Sequence, residues 1–261
     1  MTPRSATRHA IILAAGTGTR LRPHTLDRPK PLVEVNGTPI LVNALENLAA
    51  IGIEEITIIV GYRKDAIKAA LGDRFKTLLI RYVEAPDYAT TGSAWSLWLS
   101  ADVLAKENLF LLEADVFFEQ ALLSRLAAHP AESVAAVARF DSCMQGSAVT
   151  IDETDRINDV RTGLKASDID PVSPCFYKTI NIYRLSREMA GEKLLPLLRS
   201  AAASDERGLF VEQLLERLAR RGQLGLVAVH CDDLKWVEID SADDLDMATV
   251  IFADPSTLEP R

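Results

Sequence analysis

Apolar and polar positions follow two periods along the chain. Short unbroken apolar runs at His9–Ala15 (HAIILAA), Glu55–Val60 (EITIIV), Leu78–Val83 and Leu109–Ala114 are too short and too apolar for surface helices, and predict strands buried on both faces. Leu32–Val35 predicts a further short strand and Asn36-Gly37 a turn. Between the runs the spacing turns helical. Leu41, Leu45 and Leu48 mark one apolar face of a helix with Thr38 as its N-cap, Pro39 at its first position and Gly52 at its stop. Arg63–Leu71 and Ser93–Leu104 predict two more. Strands that alternate with helices of this length imply a mostly parallel sheet covered on both faces, an α/β three-layer α/β/α sandwich of Rossmann-like type.

The second half is more mixed. Val134–Arg139, Ser147–Ile151, Phe176–Tyr183, Leu224–His230 and Lys235–Ile239 predict strands; Arg187–Ala203 and Gly208–Arg221 predict helices. A last helix starts at Ser241, where Asp244 three residues on approximates a capping box. Asp152–Pro174 is polar and broken by Gly163, Pro171 and Pro174, which leaves open whether it closes as a lid. No internal repeat or interdomain linker is visible, so residues 1–261 are expected to form one domain, with a flexible tail over residues 1–8 and a smaller subregion over about 141–183.

Composition narrows the class. Of 261 residues 48% are hydrophobic, enough for one substantial core. The formal net charge is −8 and the basic residues are scattered, so a nucleic-acid partner is not expected. Cys143, Cys175 and Cys231 lie far apart without a CxxC pair, and read as buried thiols in a reducing compartment. The four histidines show no HExxH or other ligand spacing. No apolar run approaches the ~20 residues that span a bilayer. A cytoplasmic protein with no membrane partner is expected; the oligomeric state stays open, a homodimer included.

The first candidate chemistry lies directly after the first strand. Small residues in Gly16-Thr17-Gly18-Thr19 let backbone N–H groups approach phosphate oxygens as an anion-binding nest. A dinucleotide loop needs a third glycine and an immediate helix, but Arg20 and Leu21 stand there, followed by Pro23, Pro29 and Pro31. The GxxxxGK[ST] phosphate loop is absent. Alone the loop is an ordinary strand-to-loop turn. Arg20 and Pro29-Lys30-Pro31 change that reading: two prolines hold Lys30 in extended backbone, where it can be aimed. An arginine grips β- and γ-phosphates by paired hydrogen bonds, and a lysine suits charge that builds at an α-phosphorus.

The string LAAGTGTRLRPHTLDRPKPLVEVNGTPI resembles the N-terminal signature of the nucleotidyltransferase superfamily that makes nucleotide sugars and CDP-alcohols, and weaker resemblance continues to about Ala248. The resemblance implies the nucleotide-diphospho-sugar transferase type of fold. It implies backbone contacts to the nucleotide from Leu13, Ala14, Ala15 and Gly16, a triphosphate contact from Arg20, and a contact from Lys30 to the reacting phosphates.

Such a reaction needs charge neutralisation more than proton transfer, and Mg²⁺ keeps one or two protein carboxylates. Asp115 ends the apolar strand LFLLEAD, at the strand end where ligands gather in α/β sheets; the competing reading is a turn residue capping the next helix. In Trp236-Val237-Glu238-Ile239-Asp240, alternation puts Glu238 and Asp240 on one face, although Asp240 also suits a plain helix N-terminus. The resemblance matches Asp115 and Asp240 to the superfamily's metal-binding pair, with Glu238 as helper. Glu113 shares a face with Asp115 but is not necessarily within reach.

Thr91-Gly92-Ser93-Ala94 opens a helix and looks like the superfamily's base-binding turn; a plain helix cap is the alternative. The patterns Tyr88-Ala-Thr-Thr, Trp95-Ser-Leu-Trp98, LLEADVFFE, KTINIYRLS and WVEIDSADDLDMA resemble the phosphocholine cytidylyltransferase branch and its relatives acting on aminoalkyl phosphonates. The Glu-Lys-Pro element of sugar-1-phosphate enzymes has no counterpart between Thr150 and Gly163. Against this, relatives in that branch carry two asparagines where this chain has Gly92 and Ser93. Lys178, charged within an apolar strand, either faces the cleft and pairs with an acceptor phosphate or faces water. Trp95 and Trp98, at helical spacing, read as core rather than as an ammonium cage.

The resulting expectation is Mg²⁺-dependent transfer of CMP from CTP to a phosphocholine-like or 2-aminoethylphosphonate-like acceptor. Two alternatives stay open: a sugar-1-phosphate transferase using UTP, dTTP or GTP, and a nucleotide-binding regulator without turnover.

Overall fold

The computed structural model describes residues 7–141, 144–168 and 176–253. Most of the expected N-terminal tail, together with Cys143 and Cys175, lies outside the described residues. The first half runs β1 (His9–Ala14), two 3₁₀ turns (Thr19–Leu21 and Lys30–Leu32), β2 (Glu34–Val35), β3 (Thr38–Pro39), α1 (Ile40–Ala50), β4 (Glu55–Val60), α2 (Lys64–Leu71), β5 (Arg74–Phe75), β6 (Leu78–Glu84), α3 (Ser93–Trp98), α4 (Ala101–Leu104), β7 (Leu109–Glu113), β8 (Val116–Phe118) and α5 (Gln120–Ala128). The second half runs β9 (Val134–Arg139), β10 (Gln145–Ile151), β11 (Ile157–Lys165), β12 (Tyr177–Leu185), a π-helix (Glu188–Leu194), α6 (Leu195–Ala203), α7 (Val211–Arg220), β13 (Val227–His230), β14 (Trp236–Glu238) and α8 (Ala242–Ile251).

The strands β7, β1, β4 and β6 lie side by side and parallel, as their unbroken apolar runs require, and antiparallel strands extend the sheet at both ends in the order β11-β10-β12-β7-β1-β4-β6-β5. The pleat of β1 sorts its side chains between two cores. Ala10, Ile12 and Ala14 pack with α1, α2 and α5 on one face; Ile11 and Leu13 pack with α3, α4, α6 and α7 on the other. This is the α/β/α sandwich. A third, smaller core (Leu21, Val33, Val35, Ile40, Phe117, Val237, Ile239, Leu245) ties the glycine loop to β8, β14 and α8.

Several boundaries differ from the expectation, each for a local reason. Asn36 and Gly37 both take positive φ (50° and 83°), the geometry of a two-residue hairpin turn, so Thr38 and Pro39 pair with Val35 and Glu34. Pro39 rather than Thr38 is therefore the N-cap of α1. Lys30 starts a 3₁₀ turn in which Leu32 N donates to Pro29 O (2.9 Å), so only Pro29 is extended. The helix expected over Ser93–Leu104 is two, α3 and α4, with the Ser100 hydroxyl donating to Leu97 O at the break. The polar stretch after Asp152 contains β11, which pairs antiparallel with β10 and buries only Ile157 and Val160. The capping box at Ser241 and Asp244 forms as expected.

β12 carries the main irregularity. Its N-terminal half pairs with β10 and its C-terminal half with β7, while β9 pairs along both. Between them the register shifts, and Asn181 sits at φ 58°, a left-handed conformation that asparagine tolerates better than most residues. The bulge turns Asn181 towards β14. Among the described residues no helix is long and apolar enough to cross a membrane.

Candidate functional site

The site forms at the carboxyl ends of β1 and β7, where an α/β sheet leaves a crevice. β14 pairs antiparallel with β8 in a small separate ladder (Glu238 opposite Val116), and Ile239 N donates to Asp115 O (2.8 Å). That register places Asp240 beside Asp115. Lys30 reaches between them: its Nζ lies 3.0 Å from Asp115 Oδ2 and 2.7 Å from Asp240 Oδ1. Arg20 Nη2 reaches Asp240 Oδ1 at 2.8 Å, although its side chain is mostly exposed. Two cations and two acids from four distant segments thus meet at one point.

Gly18 permits the approach of Lys30. It sits at φ 62°, and a Cβ there would lie 2.9 Å from Lys30 Cβ and 3.2 Å from Thr25 Cγ2. The Thr25 hydroxyl donates to Gly18 O (2.8 Å) and holds the loop down. Gly16 has nothing near its missing side chain, so its backbone faces open space. A cleft of about 310 Å³ follows, lined by Leu13 to Arg20, Lys30, Tyr88, Thr91, Gly92, Ser93, Asp115, Phe210 and Asp240.

The electrostatics follow from crowding. Burial works against the Lys30 ammonium, but Asp115 and Asp240 outweigh it and hold the group above the usual lysine range. Burial likewise opposes the Asp240 carboxylate, and Lys30, then Arg20, hold its carboxyl below the usual range. Asp115 Oδ1 is buried and has no hydrogen-bond partner. Among the described residues no group of three or more His, Cys, Asp or Glu is gathered as a cage. A pair of acids with one free carboxylate oxygen, beside a triphosphate-sized cleft, fits a hard divalent cation that brings its remaining ligands as water and phosphate.

A second cavity of about 470 Å³ adjoins the first and shares with it Arg20, Glu113, Asp115, Phe210 and Asp240. Its other walls come from β10, β11, β12, β14 and the start of α7. Lys178 faces this cavity rather than water: its side chain is 4% exposed, and its Nζ meets Glu238 Oε2 at 2.7 Å and donates to Thr179 O at 3.0 Å. Gly146 leaves room for it, since a Cβ there would lie 3.3 Å from Nζ. Asn181 Nδ2 donates to the other Glu238 oxygen (3.2 Å). Burial pushes the Glu238 carboxyl up to about 6, with Lys178 pulling the other way. Burial, then the Glu212 and Asp115 charges, hold the Glu113 carboxyl well above the usual carboxylate range.

Thr91, Gly92 and Ser93 line the first cleft, whereas Ala94 is buried in the core, and two amides of the turn are committed. Gly92 N donates to Arg207 O (2.7 Å) and Ala94 N to Leu209 O (3.1 Å), while Ser93 Oγ accepts from Val211 N (3.0 Å). A Cβ on Gly92 would fall 2.1 Å from Leu209 O. The segment before α7 therefore excludes an asparagine at this position, which accounts for glycine here.

Residues 9–143 match the family model described as Nucleotidyl transferase. The chain belongs to the nucleotidyl transferase family. Within that family it is 36% identical over 262 residues to a CMP-5'-(3-aminopropyl)phosphonate synthase of Streptomyces rubellomurinus, covering 97% of this chain and 40% of that protein. It is 38% identical over 108 residues to a 2-aminoethylphosphonate cytidylyltransferase of Lancefieldella rimae, covering 41% of this chain and 43% of that one. The matched stretches thus cover less than half the length of both curated relatives. Its fold is that of the CTP:phosphocholine cytidylyltransferase of Streptococcus pneumoniae (TM-score 0.74, 24% identity, 94% of this chain and 100% of that one).

Asn181, Phe210 and Glu212 are among the cavity residues that escape a reading of the sequence. Asn181 looks like one polar residue in a strand, and only the bulge gives it a direction. Phe210 looks like a core residue yet is 56% exposed, at the mouth shared by both cavities. Glu212 carried a usable signal. It stands beside the apolar face of α7 (Val211, Leu214, Leu215, Leu218), and among these apolar neighbours it is itself 8% exposed.

Proposed function

We propose that the chain transfers CMP from CTP to a small acceptor that carries a phosphonate or phosphate, with release of pyrophosphate. The observation that carries this reading is the convergence of Lys30, Arg20, Asp115 and Asp240 on the wall between two adjoining cavities. One cavity is glycine-floored and suits a nucleoside triphosphate; the other suits the acceptor. The named activities of the two curated relatives, both of the CMP–phosphonate kind, support cytidine and a phosphonate.

In this reading an acceptor P–O⁻ oxygen attacks the α-phosphorus of CTP in line. The new P–O–P bond forms as the bond to the β-phosphate oxygen breaks, and pyrophosphate leaves. The nucleophile is already anionic, so no general base is needed. Leu13 to Gly18 cradle the nucleotide through the backbone, and Thr91 to Ala94 flank the base with packed backbone rather than free amides. Lys30 turns from its two acids to the α-phosphate, and Arg20 steadies the leaving pyrophosphate. Asp115 and Asp240 would hold Mg²⁺, which supplies charge neutralisation at the phosphates when bound. Lys178 meets the acceptor anion by sharing its contact with Glu238.

Pyrophosphate release measured over CTP, UTP, dTTP and GTP against 2-aminoethylphosphonate, phosphocholine and glucose 1-phosphate tests the reading. Turnover is expected with CTP and the first or second acceptor. Turnover confined to glucose 1-phosphate, or NTP binding without pyrophosphate from any pair, would sink it.

A further inference from the structure

The cations around the two cavities are almost all matched. Lys30 is held by Asp115 and Asp240, Arg20 by Asp240, and Lys178 by Glu238. Glu113 and Glu212 are the carboxylates left over: among the described residues no ion pair reaches either. Both line the acceptor-side cavity. Glu212 is 8% exposed, and its Oε2 is buried without a hydrogen-bond partner.

A first-turn acid on a helix has an ordinary use, to cap free amides and oppose the dipole. Part of that task falls to the neighbouring residue, since Phe210 N donates to Gln213 Oε1 (2.8 Å), and the Glu212 carboxylate also takes a hydrogen bond from its own amide, which leaves Oε2 without a partner. Glu212 lines the cavity from the same turn, and its buried, unpartnered Oε2 costs stability unless something cationic or hydrogen-bonding arrives. Phe210, exposed at the shared mouth, adds an aromatic wall next to it.

We infer that Glu212 is the counter-charge for a primary ammonium at the far end of the acceptor, so that the chain selects aminoalkyl phosphonates over alkyl phosphonates of equal length. The inference rests on the proposed phosphonate chemistry and adds its specificity element. The acceptor then lies across the cavity as a zwitterion, its anionic end at Lys30 and Lys178 and its cationic end at α7. A sugar 1-phosphate would offer Glu212 hydroxyls but no charge.

Pyrophosphate release with CTP is to be compared for 2-aminoethylphosphonate and propylphosphonate, which differ by an ammonium in place of a methyl. A site built around a buried charge rejects the analogue that lacks the partner, so the parent protein is expected to favour the amine by at least ~100-fold in kcat/KM. Glu212→Gln should collapse that ratio to within ~5-fold, mainly by raising KM for the amine, with KM for CTP unmoved. Equal use of both acceptors by the parent, or loss of both in equal measure in Glu212→Gln, overturns the inference while leaving CMP transfer intact. If neither acceptor is turned over, CMP transfer to phosphonates fails, and calorimetric binding still decides on Glu212. Tighter binding of 2-aminoethylphosphonate than of propylphosphonate, lost in Glu212→Gln, supports its role; equal or absent binding overturns it.

Discussion

In the proposed reaction the chemistry turns on Lys30, which here neutralises Asp115 and Asp240, the two acids that the proposed metal would use. Its replacement by methionine keeps the stem that packs on Gly18 and removes only the charge. By the measure of other positioned transition-state donors, Lys30→Met should lower kcat by ~10²–10³-fold with a smaller change in KM for CTP. Lys30→Arg should not restore it, since a planar fork does not sit between two carboxylates as a compact ammonium does. Steady-state pyrophosphate assays decide, and a wild-type kcat in Lys30→Met would remove Lys30 from the reaction. Lys30 and Asp115 stood out in sequence because punctuation marks them, prolines on either side and the end of an apolar strand, whereas Asp240 equally suited a helix N-terminus and was singled out by the resemblance. Asn181 did not stand out, because a bulge sets its direction and leaves no local pattern, and Glu212 left only its place beside the apolar face of α7.

At the scale of elements, the turn at Thr91–Ala94 and the segment that leads into α7 behave as one piece. Three hydrogen bonds tie Thr91–Ala94 to residues 207–211, and the close pass of Leu209 O leaves no room for a side chain at Gly92. Gly92→Ala puts a methyl 2.1 Å from one backbone carbonyl and 2.6 Å from another, and neither can rotate away. Overpacking of this kind costs ~1–3 kcal/mol, so a lower melting temperature and a raised KM for CTP are expected together. An unchanged melting temperature would show that the turn and α7 are not stapled. A second clasp joins α5 to the segment between β13 and β14. Arg125 Nη1 reaches Asp233 Oδ1 (2.6 Å) and His230 O (2.7 Å), and Nη2 reaches Asp233 Oδ2 (2.8 Å). The Arg125 hydrogen bonds, then the Asp233 amide, hold that carboxyl down at about 2. An unfolded aspartate titrates at about 3.9, so the folded form binds the proton less well, and the clasp is complete above pH ~4 and fades as pH falls towards 2. The melting-temperature difference between parent and Asp233→Asn should follow that course; a difference constant from pH 6 to 2 would refute it. Strands buried on both faces were readable from their runs, as were the short strand ending at Val35 and the Asn36-Gly37 turn, whereas β11 and the pairing of β3 with β2 were not. Their pairing depends on a partner strand and on two residues at positive φ, rather than on apolar content.

For the molecule as a whole, the question is how an acidic chain of net charge −8 would bind the triphosphate of the proposed reaction. The two cavities are lined by Arg20, Lys30, Lys165 and Lys178 against Glu113, Asp115, Glu212, Glu238 and Asp240, so a bare triphosphate meets no net positive field. Two of those cations are already held by acids at the reaction point, and each must exchange a carboxylate for a phosphate. That exchange is favourable only if something else takes the carboxylates, which is the place a divalent cation has in the proposed function. Metal and nucleotide should therefore stabilise the fold together and not apart. At a hundredfold excess over Kd a ligand adds about 2.7 kcal/mol, which for a chain of this size raises the melting temperature by roughly 5–10 °C. CTP with Mg²⁺ is expected to reach that range, while CTP with a chelator, or Mg²⁺ alone, should shift it by less than ~2 °C. Asp240→Asn should lower the joint effect. Equal stabilisation by CTP in the presence of a chelator would mean that Arg20 and Lys30 release their acids unaided, and that Asp115 and Asp240 serve as ion-pair partners and nothing more.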